Sequence, residues 1–265
     1  MFIVPHEDDE INVAGATIYG AIKEGLRVIL VYVTNGDFKY KADIRYKEVT
    51  RMASIMNLPM ENIHFLGFPD NSGKELLANR DTVFTNHAGF NETHGAYGIK
   101  DYPTQYMGGS LSYTYNNLVL AITDIIGRFK PSTIISIDED IHVDHQLTSI
   151  AVEEAVGKVV KENINYTPKV LKSFGYDTDF ESVNDYYAMH LQSTVQNRAW
   201  IVDECLSTNN PMLLWEDRIR IPVPADCRST SLVGNLMFRA LGAHMSQSAY
   251  KHSPKLINGD QVFWQ

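Results

Sequence analysis

The stretch VILVYVTNGD, residues 28–37, is the part of the sequence that best indicates the fold. Its apolar run from Val28 to Val33 is typical of a strand that is covered on both faces, as strands of a parallel sheet are. The polar turn Thr34-Asn35-Gly36-Asp37 follows directly. Ligand sites of parallel sheets lie beyond the carboxyl ends of the strands, so functional side chains are expected in such turns.

Other apolar runs end in polar residues in the same way. They are residues 2–4, 63–66 and 133–137, and a weaker fifth strand is predicted at Val170-Leu171. Between them, apolar residues at helical spacing predict helices over about 11–22, 44–56, 118–126, 147–155 and 231–243. Alternating strands and helices predict an α/β fold, a Rossmann-like three-layer sandwich with a mostly parallel central sheet. The polar strand ends predict a metal site at the carboxyl edge of that sheet.

Residues 69–112 show neither strand nor helix periodicity and are rich in Gly, Asn, Thr and Tyr. A long irregular excursion inside a compact domain is often a substrate loop. The aromatic residues in and after it either stack against a sugar ring or pack on the sheet edge. They are Tyr97, Tyr102, Tyr106, Tyr113 and Tyr115. We interpret residues 1–265 as one domain that carries this excursion.

Composition excludes several classes of protein. The formal net charge of −9 argues against a protein that tracks the nucleic-acid backbone. No apolar run approaches the length of an integral membrane segment, and the N-terminus lacks a signal-peptide pattern. Cys205 and Cys227 fit two unpaired thiols in a reducing compartment better than a structural disulfide. We therefore expect a cytoplasmic protein, and the sequence leaves a homo-oligomer open.

The first strand leads into Pro5-His6-Glu7-Asp8-Asp9-Glu10. Because His6 and Asp9 are three residues apart at a strand-to-helix turn, both can point to one place. Imidazole and carboxylate are ordinary zinc ligands. The acidic run would also suit a charged first turn of a helix, where the helix dipole favours it. This segment alone therefore does not establish a metal site.

The fourth strand leads to His142-Val143-Asp144-His145, whose aspartate can orient one of the two histidines. The alternative is that Asp144 caps the following helix and both histidines are solvated. Together the two segments supply three plausible metal ligands and leave a position for water, as catalytic zinc sites do. Asp8 then remains as a carboxylate near the ion. This combination predicts hydrolytic chemistry.

Four motifs resemble those of the GlcNAc-phosphatidylinositol de-N-acetylase family, also called PIG-L or LmbE-like. They are P-H-x-D-D-E at 5–10, T-N-G-D at 34–37, G-F-P-D at 67–70 and H-x-D-H at 142–145. Arg45-x-x-Glu48 and the segment 243–247 also match patterns found there. The resemblance runs from residue 2 to about 155 and returns near 240. Glu7 is a departure, because most members have proline there, and it adds a carboxylate near the site.

The resemblance implies an enzyme that removes the N-acetyl group from an N-acetylglucosamine-type conjugate, a small molecule, with the help of Zn²⁺. Iron(II) also suits such a ligand set. In the family's pattern His6, Asp9 and His145 match the zinc ligands, and Asp8 matches the base that activates water.

Further positions follow from the same resemblance. His142 matches the histidine that stabilises the oxyanion, and Asp144 matches the residue that orients it. His244 matches a further substrate-facing histidine of some members. Asn35 and Asp37 are expected in the pocket wall, and Arg45 and Glu48 either pair with each other or contact substrate.

Two other classes of function stay open from the sequence. One is a metal-dependent hydrolase of another amide or an ester, and the other is a non-catalytic sugar- or metal-binding module. Asp8 speaks against the binding module, because binding alone needs no base. A dinucleotide-binding oxidoreductase is set aside, because no Gly-x-Gly-x-x-Gly follows the first strand.

Overall fold

The computed structural model describes residues 1–137, 142–173, 180–181, 195–196, 215–229, 231–249 and 259–265. The central sheet consists of β1 (Phe2–Val4), β2 (Leu30–Thr34), β3 (Ile63–Phe68), β4 (Thr133–Ile137) and β5 (Lys169–Ser173). These strands lie in the order β3-β2-β1-β4-β5, and every neighbouring pair is parallel. The predicted α/β fold with a mostly parallel sheet is confirmed.

Six α-helices lie in the described residues. They are α1 (Asp9–Lys23), α2 (Ala42–Met56), α3 (Gly73–Ala78), α4 (Tyr115–Phe129), α5 (Val143–Glu162) and α6 (Leu236–Leu241). Two antiparallel pairs lie outside the main sheet: β6 (Phe180–Glu181) with β7 (Val195–Gln196), and β8 (Ile219–Pro222) with β9 (Asp260–Phe263).

Successive side chains of a strand point to opposite faces, so each strand contributes to two apolar layers. Phe2 and Val4 pack in one layer with residues of α1, α2 and α6, whereas Ile3 packs in the other with residues of α4 and α5. Burying one such side chain contributes about 1.5–3 kcal/mol. The sheet is therefore covered on both faces, as the apolar run at residues 28–33 predicts.

The excursion at residues 69–112 contains some regular structure. It begins with α3, which packs so closely on α5 that a Cβ atom on Gly73 would collide with the Val143 carbonyl group. A five-residue π-helix lies at Pro103–Met107. Tyr102, Tyr113 and Tyr115 are buried, so for these three the packing alternative applies.

The last predicted helix, over about 231–243, is divided. A 3-10 turn at Leu232–Gly234 precedes α6, and the Asn235 side chain accepts a hydrogen bond from the Phe238 N–H at 3.1 Å, which fixes the helix start. Cys227 is buried and unpaired, and Cys205 lies outside the described residues. Among the described helices, none is long and apolar enough to cross a membrane.

The strand order determines where a ligand site is expected. From β1 the sheet continues through β2 on one side and through β4 on the other. A crevice opens at such a switch point, beyond the carboxyl ends of the two diverging strands. The segment after β1 contains His6 and Asp9, and α5, which follows β4, begins beside His142 and contains His145.

Candidate metal centre

His6 lies at the centre of a group of buried carboxylates. Its Nδ1 is 3.0 Å from Asp9 Oδ2, and its Nε2 is 3.0 Å from Asp144 Oδ2 and 3.4 Å from Asp70 Oδ1. Burial alone would lower the pKa of His6, but these carboxylates raise it well above its ordinary value. Three segments, after β1, after β3 and in α5, thus meet at one imidazole.

One carboxylate oxygen of Asp9 contacts both of the predicted histidine ligands. Asp9 Oδ2 is 3.0 Å from His6 Nδ1 and 3.3 Å from His145 Nε2. Ligand atoms about 2.1 Å from a tetrahedral zinc ion lie roughly 3.4 Å apart, so both separations are close to those of a metal site. Burial would raise the pKa of Asp9, but His145 and His6 hold it well below its ordinary value, which keeps the carboxylate ionised.

A further observation fits a cation at this place. The other carboxylate oxygen, Asp9 Oδ1, is buried and has no hydrogen-bond partner among the described residues. A buried, unsatisfied carboxylate oxygen is costly unless another group, such as an ion, interacts with it. Imidazole and carboxylate donors are also the chemistry that zinc and iron(II) accept. The residues present therefore fit a divalent ion.

His142 joins the same cluster. Its ring centroid is 4.7 Å from that of His6 and 4.8 Å from that of His145. Donor atoms of His6, His142 and His145 lie within 4.8 Å of one another, and so do those of His6, Asp70 and Asp144. The described residues thus offer two overlapping groups that could hold an ion, and His6 belongs to both.

Asp144 contacts residues other than those expected. Its carboxylate accepts hydrogen bonds from the Asn71 N–H at 2.6 Å and the Gly73 N–H at 2.7 Å, and it contacts His6. Its backbone N–H donates to His142 Nδ1 at 3.2 Å. Asp144 therefore contacts His142 through its main chain and His6 through its side chain, and it connects the start of α3 to the site.

Asp70 is a site residue for which the sequence analysis gave no role. Its Oδ2 accepts a hydrogen bond from Arg45 Nη1 at 2.7 Å, while Oδ1 contacts His6. Burial would raise the pKa of Asp70, but His6 and Arg45 hold it at about 2. The G-F-P-D motif places Asp70 at a strand end, but the sequence alone does not show that Asp70 contacts His6 and Arg45.

Arg45 forms ion pairs with Asp70 and Glu7 and not with Glu48. Glu48, its expected partner, accepts hydrogen bonds from the Ser246 N–H at 2.8 Å and Oγ at 2.7 Å. Burial raises the pKa of Glu7 to about 8, although Arg45 opposes this. Gly36 has a φ of 64°, and a Cβ atom there would collide with Arg45 Cδ, so both the backbone and the packing favour glycine.

Asp8 and His244 are both buried close to the ligands. Burial and then the neighbouring Asp9 carboxylate raise the pKa of Asp8 above its ordinary value. His244 Nε2 is 2.7 Å from Glu10 Oε1, and neither side chain is accessible to solvent. Burial would lower the pKa of His244, but Glu10 raises it. The substrate-facing role of His244 stays a prediction.

Asn35 and Asp37 follow β2 directly, and their place in a pocket wall stays a prediction. Asn35 Nδ2 is 3.0 Å from His94 Nε2. Asp37 Oδ1 accepts a hydrogen bond from the Asp70 N–H at 3.1 Å, and Asp37 Oδ2 accepts one from Asn86 Nδ2 at 2.5 Å. These contacts join the excursion at residues 69–112 to the cluster around His6.

The family follows from a sequence comparison. A family model described as "PIG-L: GlcNAc-PI de-N-acetylase" matches residues 1–156 of the 265. This match covers more than half of the chain. The chain belongs to the PIG-L family. The matched part of this PIG-L protein contains His6, Asp9 and His145 together with Asp8 and Asp70.

Solved structures with the same fold resemble this PIG-L protein at low sequence identity. N,N'-diacetylchitobiose deacetylase from Pyrococcus horikoshii is 14% identical with a TM-score of 0.54, over 99% of this chain and 81% of that one. The A40926 pseudoaglycone deacetylase Dbv21 is 12% identical with a TM-score of 0.51, over 99% and 94%. A deacetylase of the teicoplanin biosynthesis pathway is 12% identical with a TM-score of 0.50, over 99% and 96%. No curated protein matches the PIG-L chain.

Proposed function

We propose that this PIG-L family protein is a metal-dependent hydrolase that removes the N-acetyl group from an N-acetylglucosamine-type sugar conjugate. One observation carries the proposal: a buried histidine–carboxylate cluster lies at the switch point of the sheet, with an additional buried carboxylate, Asp8, beside it. A site that only bound a metal or a sugar would need no such base.

We assign His6, Asp9 and His145 as the residues that would hold the ion, preferably Zn²⁺, with iron(II) also suited to them. A divalent ion bound there would act as a Lewis acid that polarises the acetamide carbonyl and lowers the pKa of water. Asp70 and Asp144 hold the His6 ring through its Nε2, which leaves Nδ1 directed at Asp9.

Asp8 is the proposed general base. It takes a proton from the attacking water while the new C–O bond forms at the acetamide carbon. Burial raises the pKa of Asp8 above that of an exposed aspartate, which makes its carboxylate a better proton acceptor. Breakage of the C–N bond then releases acetate and a free amino sugar, and the amine receives from Asp8 the proton that Asp8 took from the water.

His142 is the proposed hydrogen-bond donor to the oxyanion. Burial lowers the pKa of His142, which favours the neutral ring. Because Nδ1 accepts the Asp144 N–H, the proton of a neutral ring lies on Nε2. A neutral His142 therefore still offers one N–H donor, which can stabilise the negative charge that develops on the carbonyl oxygen.

The family match supports the reaction class, whereas the similar structures do not identify the substrate. Three of them bear the name deacetylase, and one acts on N,N'-diacetylchitobiose by its name. Their identities of 12–14% establish only a shared fold. We propose that residues 1–265 form one domain whose substrate is a small N-acetylated sugar conjugate. We also predict a cytoplasmic location and no nucleic-acid partner.

The test is a deacetylation screen with metal content measured on the same sample. N-acetylglucosamine, its disaccharide and its alkyl glycosides would be offered beside simple esters and phosphoesters. We expect acetate and a free amine in equal amounts from at least one sugar, loss of this activity with a chelator, and recovery with Zn²⁺. Turnover of esters or phosphoesters without acetate release from any N-acetylated sugar would overturn the proposal.

A further inference from the structure

Several residues have a left-handed backbone without being glycine. Among the described residues, seven non-glycine residues have positive φ: Lys39, Tyr40, Asn57, Asn71, Tyr97, Lys130 and Ser248. Asn57, Lys130 and Ser248 end helical turns, where a left-handed residue is an ordinary cap. Lys39 and Tyr40 lie in the short 3-10 turn Phe38–Tyr40, and Asn71 and Tyr97 lie in loops. Strained residues without such a structural reason cluster at functional sites, so these loops merit a functional explanation.

Two of the strained residues are exposed tyrosines. Tyr40 has a φ of 60° and is 76% exposed, and Tyr97 has a φ of 52° and is 49% exposed. The Tyr97 N–H donates a hydrogen bond to Asp43 Oδ1 at 2.5 Å, in the first turn of α2, close in sequence to Tyr40. The fold thus holds two aromatic side chains in solvent at the expense of strained backbone.

Contacts connect Tyr40 to the metal centre. The Asp70 N–H donates to Asp37 Oδ1 at 3.1 Å, and the main-chain oxygen of Asp37 is 3.2 Å from His87 Nε2. The ring of His87 lies edge-on to that of Tyr40, with centroids 5.6 Å apart. Since Asp70 also contacts His6, Tyr40 lies a few side chains from the cluster.

A second set of contacts leads from the end of β2 to another exposed aromatic ring. Asn35 contacts His94, and the ring of His94 stacks on Phe90 with centroids 3.9 Å apart. Phe90 is 45% exposed. We call Tyr40, His87, Phe90 and Tyr97 the aromatic rim. Polar groups contact its members, since Asp43 accepts a hydrogen bond from the Tyr97 N–H and His94 stacks on Phe90.

This pattern matches the chemistry of a sugar ring. A pyranose has C–H groups on its faces, which pack on aromatic rings, and hydroxyl groups at its edge, which hydrogen-bond to polar neighbours. An acyl chain would need a continuous apolar groove. The metal centre would take the acetamide of one sugar, so the aromatic rim is available for another ring of the same substrate.

We propose that Tyr40 and Tyr97 form a second sugar subsite, so that the preferred substrate carries at least one further pyranose beside the N-acetylated sugar that reacts. This inference rests on the proposed deacetylase function and names the substrate class of the same site. The two tyrosines determine specificity and take no part in the chemical step.

The first test compares a one-ring with a two-ring substrate. Acetate release from N-acetylglucosamine and from N,N'-diacetylchitobiose would be measured for the wild type, Tyr40→Ala, Tyr97→Ala and the double variant. We expect kcat/KM for the disaccharide to fall about threefold to tenfold in each single variant, mostly through KM. Activity on the single sugar should stay within about twofold, because this substrate has no second ring that could contact the tyrosines.

The control is Tyr106→Ala, since Tyr106 is also partly exposed but contacts His64 and Tyr102.

Equal losses on both substrates, or no loss on the disaccharide, would overturn the subsite. A second measurement separates this failure from failure of the proposed function. Calorimetric titration of metal-loaded Asp8→Asn with the two sugars reports binding without turnover. Tighter binding of the disaccharide that is lost in the Tyr40→Ala/Tyr97→Ala background supports the subsite even if no acetate is ever released. Disaccharide binding that is unchanged by these replacements, or absent, overturns the subsite even if deacetylation is found.

Discussion

Two buried histidines at opposite ends of the sheet have opposite electrostatic environments. His64 lies near the start of β3, and its ring contacts those of Tyr102, Tyr106 and Phe129. Burial, together with the nearby Arg27 and Arg128, lowers the pKa of His64 to about 4. His6 follows the end of β1, and carboxylates raise its pKa well above the ordinary value.

The difference shows that burial alone does not set the direction in which the pKa of a histidine changes. Both rings are about 5% exposed, so exposure does not distinguish them. What distinguishes them is the set of carboxylates that the loops at the carboxyl ends place around His6. The amino end has instead an apolar cavity of about 620 Å³, lined by residues such as Ile29, Phe129, Ile135 and Leu171. We therefore place the proposed chemistry in the carboxyl-end loops.

The largest effect that would test this contrast is loss of the metal. His145→Ala removes a proposed ligand, so we expect bound zinc to fall to background and acetate release to disappear with it. His64→Ala, the same replacement at the other end of the sheet, should retain one ion per chain. Metal analysis after gel filtration checks both variants. Full zinc occupancy in His145→Ala would remove His145 from the ligand set.

Asp8→Asn should separate binding from chemistry. The amide cannot accept the proton of the attacking water, so we expect kcat to fall by about 10²–10⁴ with the zinc content unchanged. Asp124→Asn is the matched control, since Asp124 accepts a hydrogen bond from Tyr102, which contacts His64. Turnover by Asp8→Asn within a few-fold of the wild type would exclude the proposed base.

Asp144→Asn should produce an intermediate effect. Its carboxylate holds His6 and accepts two amide hydrogen bonds, so we expect zinc affinity to weaken about 10–100-fold while the protein still folds. Zinc titration against a competing chelator measures this affinity. An unchanged affinity would show that the His6–Asp144 contact has no part in metal binding.

The smallest expected effect is on the pH dependence of the protein's stability, through His64 at the amino end of the sheet. The folded-state pKa of His64 lies below the ordinary 6.5, so the unfolded chain takes up the proton first as the pH falls. The contribution of His64 to the free energy of unfolding should therefore decrease from about pH 6.5 to pH 4, by at most about 3 kcal/mol, and become constant below that. His64→Phe should remove this part of the pH dependence.

Urea unfolding of the wild type and of His64→Phe at pH 7 and pH 4.5 measures the difference. Groups at the carboxyl end titrate in both proteins and cancel in the comparison. Parallel stability curves for the two proteins between these pH values would contradict the assigned environment of His64.

The sheet was predictable because its strands have a strong local signal. Long or clearly bounded apolar runs led to β1 through β5, although β2 begins at Leu30 rather than at Val28. α3 was missed because its six residues, Gly73–Ala78, are too few for helical periodicity. β8 and β9 were not predicted, because they are four residues each and pair with each other across a long separation in sequence.

The site was predictable only in part. Parallel strands bring their ends to one edge, so the proximity of His6, Asp9 and His145 follows from the order of the motifs. The partners of individual side chains did not follow. A pair of Arg45 with Glu48 was one of two expectations, whereas the ion pairs of Arg45 are made to Asp70 and Glu7. Such contacts depend on loop paths that no local pattern encodes.

Anomalous diffraction at the zinc absorption edge, from crystals of the zinc-loaded protein, tests the central claim most directly. We predict one strong peak within about 2.0–2.2 Å of His6 Nδ1, an Asp9 carboxylate oxygen and His145 Nε2, with the Asp8 carboxylate outside bonding distance. A peak bound instead by Asp70 and Asp144, or the absence of any peak near His6, would contradict the account.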